Sequence, residues 1–252
     1  MSRSRARGAL VFPLAISFAL GCGLVAPRFH LAEDAPKSGD FSRVVLLPMN
    51  FEHSPRASLA PGTELMGERI RSYLEASGYQ VVVPRMSDTL ALWKQSVQAV
   101  GGITDESGEA LDKERYARAR SELVRGTLAS IPADGVVAAT VLARPGRYVG
   151  MDLSWDGAMR PMPIDMGNTN VPVMKLNGKD LGTSLRTSVF DRDGRNVFER
   201  YVGLEPMRRI RVVDGRVKLE ERKDLFQNEA LIASGIALSF QPWLVPAAAE
   251  AK

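Results

Sequence analysis

The residues best able to do chemistry are Asp191 and Asp193 in the run Ser188-Val189-Phe190-Asp191-Arg192-Asp193-Gly194. Two carboxylates at the end of an apolar run could act as nucleophile and acid/base beside a magnesium ion in phosphate transfer. That chemistry also needs a downstream lysine and a second carboxylate pair behind a buried strand, and only 58 residues follow Gly194. An Asp-Gly turn between two strands accounts for the same letters at lower cost, because Gly takes positive φ and Asp bonds its own backbone. No calcium-ligand series continues from Asp191 and Asp193. His30 and His53 have no nucleophile elbow or ligand-spaced partner beside them, and both read as solvated loop residues. One Cys and two His leave neither a zinc cluster nor an intrachain disulfide. No Walker loop or dinucleotide fingerprint is present. The expectation is no metal, no cofactor and no catalysis.

Cys22 is the remaining reactive group, and its setting is informative. Arg3, Arg5 and Arg7 precede fourteen uncharged, mostly apolar residues from Gly8 to Gly21. Such a run is short for a bilayer span and suits the apolar region of an export signal. It ends in Ala19-Leu20-Gly21-Cys22, which resembles a bacterial lipobox at Gly21 and Cys22 and departs from it at Ala19 and Leu20. Residues 1–21 therefore read as a signal peptide. Cys22 reads as the acylated anchor, since several acyl chains on one residue give the stable attachment that a single chain does not. Gly23 in place of Asp after the Cys implies the outer membrane, with a periplasmic location otherwise. Loss of Arg3, Arg5 and Arg7 lowers the formal charge from +4 to +1. The densest remaining basic patch, Arg208, Arg209 and Arg211, is soon followed by Glu220, Glu221 and Asp224, so no nucleic-acid footprint results.

These groups need a scaffold. Residues 22–41, with Pro27, Pro36 and Gly39, read as a lipidated Cys and flexible tether, and 42–244 as one globular domain. Val44 to Leu47 is a short apolar run suited to a central strand. A helix capped by Thr63 follows to Ala76, with Leu65, Ile70 and Leu74 on one face and Gly78 as its stop. Tyr79–Val83 is a second strand. Ser87 opens a helix carrying Leu90, Trp93, Val97 and Val100, which Gly101-Gly102 breaks. A charged helix runs from about Glu109 to Ala129, and Val136–Leu142 forms a third strand. Strands separated by helices in this way call for parallel pairing through crossovers.

Beyond Pro145 the pattern changes to hairpins: Thr183–Phe190 with Asn196–Val202, then Ile210–Leu219 around Asp214-Gly215. Asp224–Phe240 reads as a C-terminal helix ended by Pro242, and 245–252 as a disordered tail. The fold expected is a single α/β domain with a mixed β-sheet, βαβ crossovers in the first half, β-hairpins in the second and a C-terminal helix. Residues 145–182 read as an insertion holding four Pro and five of the ten Met. Its Met could fill gaps above the sheet or offer an adaptable docking surface; in the second case Trp155, Met159 and Met162 are the partner-binding anchors.

Three segments carry a family resemblance: Arg43-Val44-Val45-Leu46-Leu47-Pro48 with Gly78-Tyr79-Gln80-Val81-Val82, Ala133-Asp134-Gly135-Val136-Val137, and Val189-Phe190-Asp191 through Gly194 to Val197-Phe198. Their order behind the lipobox-like Cys22 resembles the fold of the curli-export lipoproteins, the penicillin-binding-protein-activator lipoproteins and the amino-terminal domain of the Tol-system propeller protein. The resemblance covers about residues 43–142 and 183–240 and carries no catalytic residues. It implies envelope assembly or an adapter role, with an envelope protein as partner, a lipid bilayer as anchor and self-association into a homo-oligomer as an option. The alternative is a soluble periplasmic small-ligand binder of the same fold.

Overall fold

The computed structural model describes residues 28–52, 56–105, 110–165, 177–213 and 216–244. The signal peptide, Cys22, His53, Met166, Met174, the Asp214-Gly215 turn and the tail lie outside the described residues.

The elements are β1 Phe29–Leu31, β2 Arg43–Leu46, α1 Ala60–Ala76, β3 Gln80–Val82, α2 Met86–Ala99, α3 Lys113–Ser130 and β4 Gly135–Val149. They continue as β5 Asp152–Trp155, β6 Ala158–Pro161, β7 Ile164–Asp165, β8 Asn177–Phe190 and β9 Asn196–Pro206, then β10 Arg208–Val213, β11 Arg216–Glu221 and α4 Glu229–Phe240. The main sheet runs β1-β9-β8-β4-β2-β3. β2 pairs parallel with β3 and β4, while β4, β8, β9 and β1 pair antiparallel. This is the expected mixed α/β sheet with hairpins and a C-terminal helix.

Alternation along the strands splits the core in two. Val44, Leu46, Val137, Leu185 and Val189 face α1 and α4, where Met66, Ile70, Leu74, Ile236 and Phe240 complete one layer. Val45, Leu47, Val136, Ala138 and Phe190 face α2 and α3, meeting Trp93, Ala119, Leu123 and Val124. The caps follow local chemistry. Asp112 accepts the amides of Glu114 and Arg115 at the start of α3. Gly78 takes φ +93° after α1, where a side chain would be strained.

Two expectations are corrected. The part of the 22–41 tether that is described is not loose: β1 pairs with β9 from Phe29↔Arg200 to Leu31↔Phe198, and Phe41 is buried. A short β-forming Phe-His-Leu run satisfies the open edge of β9, so the domain begins before residue 42, and His30 sits in a strand and not in a loop. Likewise the described part of 145–182, read as an insertion, is regular strand structure largely continuous with the main sheet. β4 and β8 run together from Val136↔Phe190 to Val149↔Asn177 as a long arm. Pro145 fits within it because β4 there has a neighbour on one side only. The β5–β6 hairpin turns at Asp156 (φ 39°) and Gly157 (φ 75°), positive at both central residues as such a two-residue turn requires.

Candidate functional site

The loop after β2 carries the first element of the densest polar cluster. Leu47 and Asn50 donate their amides to the carbonyls of Val137 and Ala139 on β4. The Asn50 side chain then imitates one more strand residue: Nδ2 donates to the Val141 carbonyl at 2.8 Å and Oδ1 accepts its amide at 2.9 Å. Asn50 itself takes φ 56°, a conformation Asn tolerates better than most residues, and this turns Phe51 and Glu52 toward α3.

Glu52, with its side chain fully buried, meets Arg120 from α3 (Nε to Oε1, 3.0 Å) and Arg186 from β8. Arg120 also reaches Glu199 on β9 at 3.1 Å, and Ser188 donates to the same Glu199 oxygen at 2.9 Å. Tyr116 donates to Glu52, Arg186 donates to Thr140, and the Arg120 guanidinium lies over the Phe190 ring. Burial alone would raise the Glu52 and Glu199 carboxyls, but Arg120 and Arg186 hold both below their ordinary range. Burial, and then the neighbouring Glu52 charge, push the Tyr116 phenol up to about 12. These three acids therefore keep one protonation state across neutral pH. The arrangement can clamp helix, loop and sheet together, but it offers no group poised to exchange a proton near pH 7.

The Asp191 carboxylate is consumed by its own turn. Oδ1 accepts the amides of Asp193 (3.0 Å) and Arg195 (2.9 Å), and Oδ2 meets Arg195 Nε at 2.7 Å. Gly194 takes φ +77°, and its carbonyl accepts from Ser121 on α3 at 2.7 Å. The hairpin expected here is present, and its tip rests on a helix. Among the described residues no group of three or more His, Cys, Asp or Glu is placed to hold a metal ion. The Arg208–Arg211 patch is matched locally, with Arg208 near Asp180 and both Arg209 and Arg211 on Glu220.

The three residues expected as docking anchors do not share a surface. Trp155 and Met162 are buried with Leu153 and Ile210, while Met159 is 50% exposed. Trp155 donates through its indole N–H to the Thr183 carbonyl at 2.9 Å. Its ring occupies the space left by Gly182 and Gly203 on adjacent strands. Trp155 and Met162 are thus core residues of the curled end of the sheet, which corrects the docking assignment. Exposed apolar side chains at that end are Val149, Met151 and Met159.

At the carboxyl ends of β2 and β3 lies a crevice of about 280 Å³, floored by Leu46, Pro48, Met49, Val83 and Met86 with Glu64 and Glu68 on one wall. Sequence reasoning missed the charged cluster because its members are distant in sequence. One signal was present: Arg120 lies four residues after Tyr116 and four before Val124, on the inward stripe of α3.

No protein-family model matches the sequence, and no curated protein matches it. Among solved structures the chain is similar to a PelC dodecamer from Paraburkholderia phytofirmans in space group P6. That pair shows a TM-score of 0.39 and 10% identity over 86% of this chain and 94% of the other. It is also similar to a point variant of the same protein in space group C2, with a TM-score of 0.38 and 10% identity over 86% and 95% of the two chains. So distant a likeness bears on neither activity nor assembly here. Among the described residues no helix is long and apolar enough to cross a membrane.

Proposed function

We propose that this protein is a non-enzymatic lipoprotein of the bacterial envelope, held by acylated Cys22 at the periplasmic face of the outer membrane and acting there as an assembly or adapter module. The observation that carries this reading is the basic and apolar leader that ends at the single cysteine of the chain. The family resemblance in the strand-turn segments supports the same reading. So does a polar cluster whose carboxylates are pinned in the ionised form. With Trp155 and Met162 in the core, the partner-binding surface falls to Met159 together with Val149 and Met151. Fractionation of cells making wild type and Cys22→Ala tests the reading: wild type stays with the outer membrane and the variant leaves it. Sedimentation of the detergent-solubilised protein reads whether a homo-oligomer forms. A phosphate-ester panel that wild type hydrolysed and Asp191→Asn did not would overturn the non-enzymatic part.

A second reading, a soluble periplasmic small-ligand binder without lipid, draws on the crevice. Ligands of open α/β sheets bind beyond the carboxyl ends of parallel strands, and the crevice sits there with an apolar floor. Stabilisation of wild type by a small apolar compound, abolished in Val83→Asp, would favour it.

A further inference from the structure

The position of β1 decides how the domain sits on its membrane, on the reading that Cys22 is the anchor. Because β1 is fastened to β9 from Phe29 onward, only the six residues 23–28 separate the anchor from the sheet, seven Cα-to-Cα steps in all. Fully extended, it spans at most about 25 Å, against about 70 Å had the chain been free through residue 41. The edge nearest the anchor is therefore confined to the neighbourhood of the bilayer.

That edge is apolar. Phe29 is 56% and Leu31 39% exposed, and their register opposite Arg200 and Phe198 puts both on the α4 side of the sheet. Arg200 in turn donates to the Gln241 carbonyl just past the end of α4. On α4, Glu229 pairs with Arg69 of α1 and fixes which flank faces α1. Leu231, Ser234 and Leu238, at i, i+3 and i+7, lie on the other flank, and Leu238 is 36% exposed. An apolar ridge of Phe29, Leu31 and Leu238 thus runs along the β1 edge. Arg28 is exposed at the same place, a charge suited to anionic headgroups.

We infer that this ridge docks on the lipid surface, so that the domain lies with its β1–α4 edge against the bilayer and the β3 edge, at the opposite side of the sheet, away from it. The occupant is lipid because the short connection to the anchor delivers this edge to the bilayer and keeps it there, at an effective concentration that no free partner matches. The small apolar area then needs only to orient the domain, not to hold it.

The test uses the full processed protein in phosphatidylethanolamine/phosphatidylglycerol vesicles with nitroxide-labelled lipid. The native tryptophans Trp93, Trp155 and Trp243 are buried and give the baseline. Phe29→Trp and Leu238→Trp report the ridge independently, so a folding defect in one leaves the other informative. Val83→Trp, exposed just after β3, reports the far edge. The inference predicts lipid quenching of the first two reporters and none of the third. Acylated, vesicle-bound protein in which neither ridge reporter is quenched overturns the docking and leaves the anchor intact. Equal quenching of all three overturns the stated orientation. Reporter shifts that follow protein concentration without lipid mean that a second copy covers the ridge, and the inference falls. An unacylated chain that stays free of the vesicles removes the anchor and the docking with it.

Discussion

Trp155 lies against Gly182: a Cβ on that glycine would stand 2.2 Å from the indole ring, and one on Gly203 of the next strand 2.9 Å. The two glycines form a hole in the sheet, and the β5–β6 hairpin delivers the ring that fills it. Trp155→Ala should then destabilise the domain by about 3–5 kcal/mol, the usual range for emptying a buried aromatic site. Denaturant unfolding checks this. Gly182→Ala should also destabilise, and the double variant should lose less than the two single losses combined, because the alanine then enters vacated space.

Asn50 substitutes for a strand residue beside Val141, so its loss leaves a buried amide and carbonyl without partners. Asn50→Ala should cost about 1–3 kcal/mol from these groups. The positive φ at position 50 adds strain for alanine. Hydrogen exchange of the Val141 amide should rise more than that of Val137, whose carbonyl keeps its partner.

The Glu52 cluster predicts an asymmetric response to pH. Glu52 and Glu199 have folded-state pKa values below the ordinary 4.5. Their stabilisation is present in full above that value and is lost as pH falls toward the lowered folded-state values. Glu52→Gln should cost about 3–5 kcal/mol at neutral pH, since it leaves Arg120 and Arg186 buried without their shared counter-charge. It should also flatten the acid limb of the stability profile. Chemical denaturation at pH 7 and at successively lower pH reads both effects.

Much of this fold was legible because its first half follows simple periodicities. Val44–Leu46 in β2 is a continuous apolar run that is buried as expected, and of the α1 face Ile70 and Leu74 are buried, with Met66 and not Leu65 completing the stripe. The hairpin at Asp191–Gly194 was legible for the same reason, since turn chemistry is local. The curled end was not. Asp156-Gly157 is a strong hairpin signal, but its strands are four residues each, and Pro145-Gly146 and Gly178 interrupt the alternation. Gly146 and Gly178 admit Leu153 and Tyr148 from neighbouring strands, as Gly182 and Gly203 admit Trp155, a tertiary requirement that no window of sequence displays. The same holds for Glu52, Arg120, Arg186 and Glu199, whose meaning lies in contacts between residues up to 134 positions apart.

The turn at Gly194 is held by φ +77° and by close approach to the Ser121 carbonyl, 2.8 Å from where a Cβ would stand. Gly194→Ala should destabilise by at least about 1 kcal/mol from the backbone conformation alone. Gly39, where a Cβ would meet nothing within 4 Å, should accept alanine with little change. Paired thermal melts of the two variants make the comparison.

Intact mass spectrometry of the protein purified from bacterial membranes decides whether Cys22 is the anchor. An acylated anchor gives a chain that begins at Cys22 and carries the added mass of its acyl groups, absent from Cys22→Ala. An unmodified chain starting near Gly23, recovered from the soluble periplasmic fraction, would contradict it and put the small-ligand-binding reading first.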